Sequence, residues 1–487
     1  MESLPQNPDL LGFSLSWELD YKGLFSQLGF VGVPRRAAQR TTSDPLVFGG
    51  GPVLTANPEP FADFFDVILL GDGEDVLPAF LERYRRERGR SRSEILSALA
   101  EIPGIYIPSK YEIHYTSATG PIAKISPVES GIAETVHKAT YRGSGLATST
   151  VVSPLMAWEN IFMVEAVRSC PEMCTFCLAS YVTLPFRSAP VKEQLLPAID
   201  RGLEVTKRIG ILGASVTQHP QFKDLLEALQ TDKYADVRVS LSSVRANTVT
   251  EELARTLVSR GSKSVTIAVE SGSERLREII NKKLKNDEII EAGLRGQAGG
   301  LSSMKLYGMA GIPGEVSSDI AETMEMFRAL QQEIRSSASK RSGSGSGMRL
   351  TFGCSTFVPK AHTPFQWFGV RKDAEKTLQM LDKQLGKIGI DFRPESHKWS
   401  CVQALISRGD RRVSKVLEVV TEFGDSLGSF RRAFKVLKGE IPALEYYVYE
   451  DWPVDTVLPW NHLRTAISPA TILTRRNAAE ELFSLDT

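Results

Sequence analysis

Short apolar runs alternate with long amphipathic segments through the middle of the chain. Six runs have strand character, and five are followed closely by an amphipathic segment, such as Val191 to Lys207 or Ser317 to Arg335. The sixth is followed by one only after Pro359 to Trp367. Repeated units of this kind specify a parallel sheet with helices outside it, whose chemistry gathers at the carboxyl ends of the strands. We predict a partial barrel or an open doubly wound sheet with strands at residues 160–167, 209–213, 237–241, 263–270, 304–309 and 348–355.

A smaller α/β pattern precedes this core. Strand-like runs at residues 9–16, 45–48 and 65–70 alternate with helical stretches, and the third ends in Gly71-Asp72-Gly73-Glu74, where Asp72 is placed to cap the next helix. We predict four regions: an incomplete α/β module at residues 1–85, a connector with short strands at 86–150, the core at 151–370 and a mainly helical extension at 371–487.

Two further segments differ from the strand and helix alternation. Arg335 to Gly347 is poor in apolar residues and rich in glycine and serine, which predicts a flexible, disordered excursion before the last core strand. Residues 371–388 and 411–438 have the pattern of helices with exposed Lys and Arg.

Size and charge narrow the class of protein. A chain of 487 residues can bury one large core and carry smaller modules, which is typical of an enzyme with two or three domains. Its 58 Lys and Arg residues balance 58 Asp and Glu residues, so no global field favours nucleic acid or an anionic membrane. No apolar run is long enough to span a membrane, and Met1 to Leu10 lacks the features of a secretory signal. We predict a cytoplasmic protein with no membrane or nucleic-acid partner.

The strongest chemical signal is a group of cysteines directly after the first core strand. Cys170, Cys174 and Cys177 lie within eight residues, while Cys354 and Cys401 are remote from them. Thiolates are soft ligands that suit an iron–sulfur cluster or zinc, and a structural zinc site needs a fourth ligand. Because no fourth cysteine is near, we predict a [4Fe-4S] cluster with one open iron. A zinc knot and three packed free cysteines are the alternatives.

An open iron has a specific use. It can chelate the amino and carboxylate groups of S-adenosylmethionine and hold the sulfonium against the cluster. One electron then breaks a carbon–sulfur bond, and the resulting 5′-deoxyadenosyl radical removes hydrogen from an unactivated carbon, so the cofactor carries the reactivity. The sequence therefore predicts reductive cleavage of S-adenosylmethionine, with a substrate that it does not identify.

The triplet, with Phe176 directly before its last cysteine, resembles the radical S-adenosylmethionine superfamily. Further stretches across residues 10–410 are similar to the cobalamin-binding-type branch and its uncharacterised bacterial relatives. The resemblance implies a partial (β/α)6 parallel barrel, preceded by an incomplete Rossmann-like module and followed by the helical region. It also implies an electron donor such as a flavodoxin or ferredoxin. The stretches are Gly49–Pro52, Asn57–Pro60, Gly71–Glu74, Ser242–Arg245, Glu270–Ser273, Gly311–Glu315 and Ser355–Lys360.

The resemblance also implies contacts to S-adenosylmethionine. Glu270 resembles the residue that binds the ribose hydroxyls, although it could instead cap the helix from Ser273. Gly311, Pro313 and Gly314 resemble the segment that lets backbone approach the adenine, although an ordinary glycine–proline turn would look the same.

The amino-acid end of the cofactor is less well matched. Ser215 lies where the family usually has an acid after two glycines, so it would give the methionine amino group only one weaker hydrogen bond. Ser243 and Arg245 could meet the methionine carboxylate or the substrate, because Arg suits bidentate carboxylate binding. A structural salt bridge of Arg245 is the alternative.

Cobalamin is a separate question. Relatives carry a complete dinucleotide-like domain before the cluster domain, whereas only its latter half is recognisable here, from near Leu11. The chain also lacks an Asp-x-His-x-x-Gly stretch for an axial histidine, although some relatives bind cobalamin without one. We expect a structural or substrate-covering module, with cobalamin binding as the alternative.

Three other functions compete with the leading one. A cobalamin-dependent radical methyltransferase is compatible with the sequence, and so is a non-catalytic iron–sulfur or zinc scaffold. A tRNA methylthiotransferase is disfavoured, because it needs three further cysteines and a nucleic-acid-binding barrel, and only two cysteines remain.

Overall fold

The N-terminal module is a four-stranded sheet with helices on it. The structure is a computed structural model that describes residues 7–242, 244–342 and 347–484. Strands β1 to β3 are parallel and β4 is antiparallel, in the order β1-β2-β3-β4. The sheet therefore extends past the predicted boundary at residue 85. Its elements are β1 Leu10–Ser14, α1 Tyr21–Phe30, β2 Leu46–Gly50, α2 Pro52–Ala56, β3 Val67–Leu69, α3 Gly73–Glu87, α4 Arg92–Ala100 and β4 Ile105–Tyr106.

Short strands follow, as predicted for the connector. An antiparallel hairpin joins β5 Tyr111–Tyr115 to β6 Ile122–Pro127, and β7 Val136–His137 comes next. Helix α4 was not expected in this region; Ser91 and Glu94 form its capping box, which is a local signal for a helix start.

Parallel strands build the core, and all six predicted strands are confirmed. One sheet has the order β12-β11-β8 and the other β13-β14-β15-β16. The Val244 N–H donates to the Thr266 carbonyl at 3.3 Å and joins their edges. Strand β16 extends the predicted set, and the short strands β9 and β10 form a separate antiparallel pair. The strands are β8 Phe162–Glu165, β9 Val167–Arg168, β10 Arg187–Ser188, β11 Arg208–Leu212, β12 Arg238–Leu241, β13 Ser264–Glu270, β14 Ser303–Ala310, β15 Arg349–Thr356 and β16 Asp391–Pro394.

Helices cover the outer face of these strands. They pack on apolar residues of alternate strand positions, such as Met304 and Leu306 of β14. The resulting architecture is the predicted partial barrel with outer helices. The helices are α5 Leu178–Val182, α6 Leu196–Leu203, α7 Phe222–Gln230, α8 Glu251–Ser259, α9 Glu274–Ile279, α10 Asn286–Ala298 and α11 Ser317–Ser342.

The prediction of a flexible excursion from Arg335 is wrong for its first half. Helix α11 continues to Ser342, because Ile334 and Ala338 stay buried one turn apart and carry its apolar face onward. Residues 343–346 lie outside the described residues, so the rest of that prediction is not addressed.

The C-terminal region is mainly helical and packs against the N-terminal module. Leu54 and Phe65 share one core with Leu405 and Tyr447. Strand β17 pairs with β7 and adds a second link. No helix in the described ranges is long and apolar enough to cross a membrane. The elements are α12 Ala374–Leu385, α13 His397–Arg408, α14 Val413–Glu422, α15 Leu427–Val436, α16 Leu444–Val448, β17 Leu463–Arg464 and α17 Pro469–Glu481.

Candidate active site

The three clustered cysteines lie in one loop between β9 and α5. The backbone is left-handed at Ser169, with φ of 71°, and at Met173, with φ of 55°, so the chain turns sharply before Cys170 and again before Cys174. Cys174 is buried, and Cys170 and Cys177 are half-buried. The loop therefore keeps all three thiols close to the carboxyl ends of the barrel strands.

Burial keeps the Cys174 and Cys177 thiols protonated in the absence of metal. Burial raises the pKa of Cys174 to about 12, Lys282 lowers it, and the neighbouring Cys177 and Cys170 raise it again. Burial also raises the pKa of Cys177. Thiols of this kind bind as thiolates only when the charge of a metal offsets the cost of ionisation.

Three cysteine thiols are chemically suitable ligands for an iron–sulfur cluster. Thr175, between the second and third cysteine, has a buried hydroxyl with no partner among the described residues, as expected where a further acceptor belongs. In the described part of the chain, no group of three or more His, Cys, Asp or Glu side chains that could hold a metal ion is found. Cluster binding by Cys170, Cys174 and Cys177 thus stays a prediction.

Glu172, inside the cysteine loop, is a centre of polar contacts that sequence reasoning missed. Its carboxylate accepts a hydrogen bond from Gln218 Nε2 at 2.6 Å and lies 3.5 Å from Arg245 Nη1 and 3.8 Å from Lys283 Nζ. The Ser215 hydroxyl donates to Gln218 Oε1. The loop is therefore fixed by side chains from the ends of β11 and β12 and from the turn after α9.

The predicted residues at the amino-acid end of the cofactor take part in this network. Arg245 Nη2 donates to the carbonyls of Lys282 and Lys283 at 2.8 and 2.7 Å. Together with the ion pair to Glu172, these contacts favour the alternative that Arg245 forms a structural salt bridge. Ser215 is buried, and its hydroxyl is linked to the loop through Gln218. The prediction for Ser243 lies outside the described residues.

The turn after α9 braces the same loop from the other side. Asn281 Nδ2 donates to the carbonyls of Glu172 and Met173 at 2.8 and 3.1 Å, and Asn281 itself has φ of 54°. The Thr175 N–H donates to the Ile280 carbonyl at 3.1 Å. The run of lysines from Lys282 was the sequence signal that could have drawn attention to this turn.

Glu270 lies at the carboxyl end of β13, at a bulge where its φ is 64°. Its carboxylate accepts a hydrogen bond from Lys282 Nζ at 2.8 Å, and both groups lie within electrostatic reach of Cys174. The alternative role as a helix cap does not hold, because Ser273 itself caps α9 by accepting from the Leu276 N–H. Glu270 is thus a carboxylate at the strand end, next to the cysteine loop.

The segment from Gly311 to Gly314 is a turn closed by Glu315, whose carboxylate accepts from the Gly311 N–H at 3.1 Å. Gly311 and Gly314 have φ of 76° and 84°. A Cβ at Gly314 would lie 2.6 Å from Phe483, so this glycine allows close packing of the C-terminal region. These contacts favour the turn alternative; the approach of Gly311, Pro313 and Gly314 to adenine stays a prediction.

Asp72 does not cap α3 as predicted, because its carboxylate is used elsewhere. It accepts from the Tyr141 N–H at 2.9 Å and pairs with Arg187 at 2.7 Å and Arg168 at 3.1 Å. Arg168 also pairs with Glu74 at 2.5 Å. These pairs join the N-terminal module directly to the strand that carries the cysteine loop.

Comparison with known proteins finds two matching family models. A family model described as radical SAM proteins, N-terminal, matches residues 2–108, and one described as the radical SAM superfamily matches residues 164–327. Together they cover more than half of the chain. An uncharacterized protein of Methanocaldococcus jannaschii is 27% identical over 418 residues, which are 85% of this chain and 80% of that protein. The tRNA-2-methylthio-N(6)-dimethylallyladenosine synthase of Pseudothermotoga lettingae is 24% identical over 221 residues, 42% of this chain and 50% of that enzyme.

Solved structures give weaker matches. The radical S-adenosylmethionine methyltransferase TsrM from Kitasatospora setae is 12% identical, with a TM-score of 0.46 over 78% of this chain and 66% of that chain. The cobalamin-dependent S-adenosylmethionine radical enzyme OxsB is 12% identical, with a TM-score of 0.47 over 98% of this chain and 71% of that chain.

The two family models define a radical S-adenosylmethionine protein. The chain belongs to that superfamily, as the cysteine loop predicted, and it is an enzyme whose cofactors are a [4Fe-4S] cluster and S-adenosylmethionine.

Proposed function

We propose that this enzyme cleaves S-adenosylmethionine reductively at a cluster held by Cys170, Cys174 and Cys177 and abstracts hydrogen from a bound substrate. The supporting observation is the placement of three buried or half-buried thiols in one loop beside the Glu270 carboxylate. When bound and reduced by a flavodoxin- or ferredoxin-class donor, the cluster supplies the single electron that splits the cofactor into methionine and a 5′-deoxyadenosyl radical.

The side chains position the reactants. A carboxylate can accept two hydrogen bonds from a diol, so Glu270 is suited to the ribose, and Lys282 holds it at the strand end. Arg245 and Asn281 hold the loop that carries the thiols. We propose that these contacts fix the cofactor relative to the barrel interior, where the substrate would bind.

We further propose that the enzyme works without cobalamin. The carboxyl edge of the N-terminal sheet, where a corrin ring would lie, is in contact with the chain itself. Gly71 bridges Ala139 through its backbone, and a Cβ at Gly71 would overlap the Ala139 carbonyl oxygen. Leu15 and Leu70 are buried in the core shared with the C-terminal helices. These residues do not fit the cofactor, and anaerobic incubation with hydroxocobalamin should leave no corrinoid absorbance after gel filtration.

A tRNA methylthiotransferase remains disfavoured despite the partial similarity to one. A second cluster would need three more cysteines, and only Cys354 and Cys401 remain. Each is buried in a different hydrophobic core.

The test of the main proposal is anaerobic reconstitution with iron and sulfide. We expect a [4Fe-4S] electron paramagnetic resonance signal that changes on addition of S-adenosylmethionine, and formation of 5′-deoxyadenosine with dithionite. Alanine at Cys170, Cys174 or Cys177 should abolish both. Matched alanine variants of Cys354 and Cys401 should retain them. Bound zinc with no response to S-adenosylmethionine would support the scaffold alternative instead.

A further inference from the structure

The inner face of β13 to β16 is lined by small and polar residues. Barrel interiors are normally filled by Val, Ile and Leu. Here the strand register aligns the inward positions in three layers, with Met309 as their large apolar side chain. The layers are Thr266, Lys305, Thr351 and Asp391; then Ala268, Tyr307, Gly353 and Arg393; then Met309 and Ser355, while the bulge in β13 places Glu270 opposite Gly308.

Most of these positions also line a cavity of about 530 Å³, here called the lumen cavity, which includes Glu270, Lys305, Tyr307 and Arg393. Its volume lies in the range of small-molecule sites, roughly 300–1,000 Å³. Side chains alternate between the two faces of β14. Met304 and Leu306 pack in the outer core, so Lys305 and Tyr307 lie on the other face. This half of the barrel is therefore shaped to hold a ligand.

Tyr307 offers a flat apolar surface in the lumen cavity. It is 49% exposed although it lies in the middle of a strand. A Cβ at the neighbouring Gly353 would come within 2.7 Å of the Tyr307 ring, so the missing side chain leaves room for the ring. An exposed aromatic face is suited to stacking with a planar group.

The lower layers of the lumen cavity are cationic. Lys305 has no hydrogen bond or ion pair within the described residues, whereas Arg393 pairs with Asp391 at 2.7 Å. Lys305 therefore leaves one positive charge uncompensated in these layers. Glu395, directly after β16, adds a negative charge to the cavity lining about 13 Å from Lys305 along the strands by the rise per residue. The field along the cavity draws an anion toward Lys305 and away from the cluster end.

We propose that the lumen cavity binds a planar small molecule that carries a carboxylate or phosphate group. The anionic group would contact Lys305 and Arg393, the ring would stack on Tyr307, and the other end would face Glu270 and the cysteine loop. This names the substrate class of the reaction proposed above and rests on that proposal. Lys305 lies at one end of the cavity and the cysteine loop at the other. The hydrogen to be abstracted would therefore lie on the end of the substrate that is remote from its anionic group.

Binding of defined probes to the reconstituted enzyme tests the proposal without turnover. The probes are benzoate, indole-3-carboxylate and phenyl phosphate, with benzamide and indole-3-carboxamide as neutral counterparts, titrated by ligand-observed nuclear magnetic resonance. We expect the anions to bind at least tenfold more tightly than the amides. The ratio between phenyl phosphate and benzoate distinguishes a phosphate-bearing from a carboxylate-bearing substrate.

Three variants locate the binding. Lys305→Met should remove the preference for anions, Tyr307→Leu should weaken anions and amides alike, and Lys376→Met, on the outer helix α12, should change neither. Equal binding of anions and amides, an unchanged preference in Lys305→Met, or no probe binding at millimolar concentration would overturn the proposal. If the reconstituted enzyme does not cleave S-adenosylmethionine but still prefers the anionic probes, the proposed function is overturned and the proposal for the lumen cavity is not.

Discussion

Glu172 shows how a single side chain can hold the cysteine loop. The carboxylate is half-buried, and its partners come from the turn after β11, the segment after β12 and the turn after α9. A partly desolvated carboxylate with two cationic neighbours and one amide donor contributes more than a surface ion pair, because water screens it less. The loop geometry thus depends on a residue between two predicted ligands.

Replacing Glu172 with alanine should loosen this loop. Gln218 would lose a hydrogen-bond acceptor and Arg245 an ion-pair partner, and we expect a loss of about 1–3 kcal/mol in the free energy of unfolding. Iron and sulfide content after reconstitution should fall with it. Thermal unfolding and metal analysis measure the two effects. Glu204→Ala, an exposed glutamate on the barrel surface, is the control and should match the unsubstituted enzyme; equal cluster content in both variants would contradict this role for Glu172.

At the scale of elements, a buried ion pair joins the N-terminal module to the turn between α13 and α14. Glu59, in the 3-10 helix Glu59–Phe64, is fully buried and pairs with Arg411 at 2.9 Å. Burial raises the pKa of Glu59, but Arg411, His462 and Tyr106 lower it more, so it stays below its usual value. Arg411 also donates to the Tyr106 hydroxyl at 2.7 Å. The pair therefore fixes the relative position of two regions far apart in the chain.

The substitution Arg411→Met should be strongly destabilising. It leaves the Glu59 carboxylate buried without its cation, which typically costs about 3–5 kcal/mol. Chemical denaturation measures the change. Arg86→Met removes an exposed pair with Glu82 and should cost less than about 1 kcal/mol. The double variant Glu59→Gln, Arg411→Met should recover part of the loss; similar effects of Arg411→Met and Arg86→Met would show that the pair contributes little.

Across the whole molecule, two buried histidines lie where the N-terminal module meets the C-terminal region. Burial lowers the pKa of His362 to about 3 and that of His462 to about 4. His362 packs on Trp460, and His462 packs on Tyr106 and Tyr111. The folded protein holds both as neutral rings, whereas the unfolded chain protonates them near pH 6.5.

These histidines should make the fold sensitive to acid. Between pH 6.5 and 4 the unfolded state binds more protons than the folded state, so the free energy of unfolding falls as the pH falls. Each histidine can contribute up to about 3 kcal/mol, with full stability above pH 6.5. Thermal unfolding at pH 7.5 and pH 5 measures the loss. The variant His362→Phe, His462→Phe should lose less between these two values, and a loss equal to that of the unsubstituted protein would refute the assignment.

The sequence by itself determined the barrel strands, the cysteine loop and hence the superfamily. These features are local: a strand has an apolar run of a few residues, and three thiols within eight residues share a loop in any fold. Glu270 also was found at its predicted strand end, because a strand boundary fixes where the next side chain lies.

Only the tertiary structure decided which distant groups meet. Asp72 satisfies two arginines rather than its own helix, and Glu172 finds Gln218 and Arg245 at the ends of β11 and β12. Three larger features also depend on contacts between distant residues. They are the core shared by the N-terminal module and the C-terminal helices, the added strand β16 and the polar lumen cavity. Contacts between residues hundreds of positions apart cannot be recognised from the hydrophobic pattern of either segment, because the two partners come together only when the chain folds.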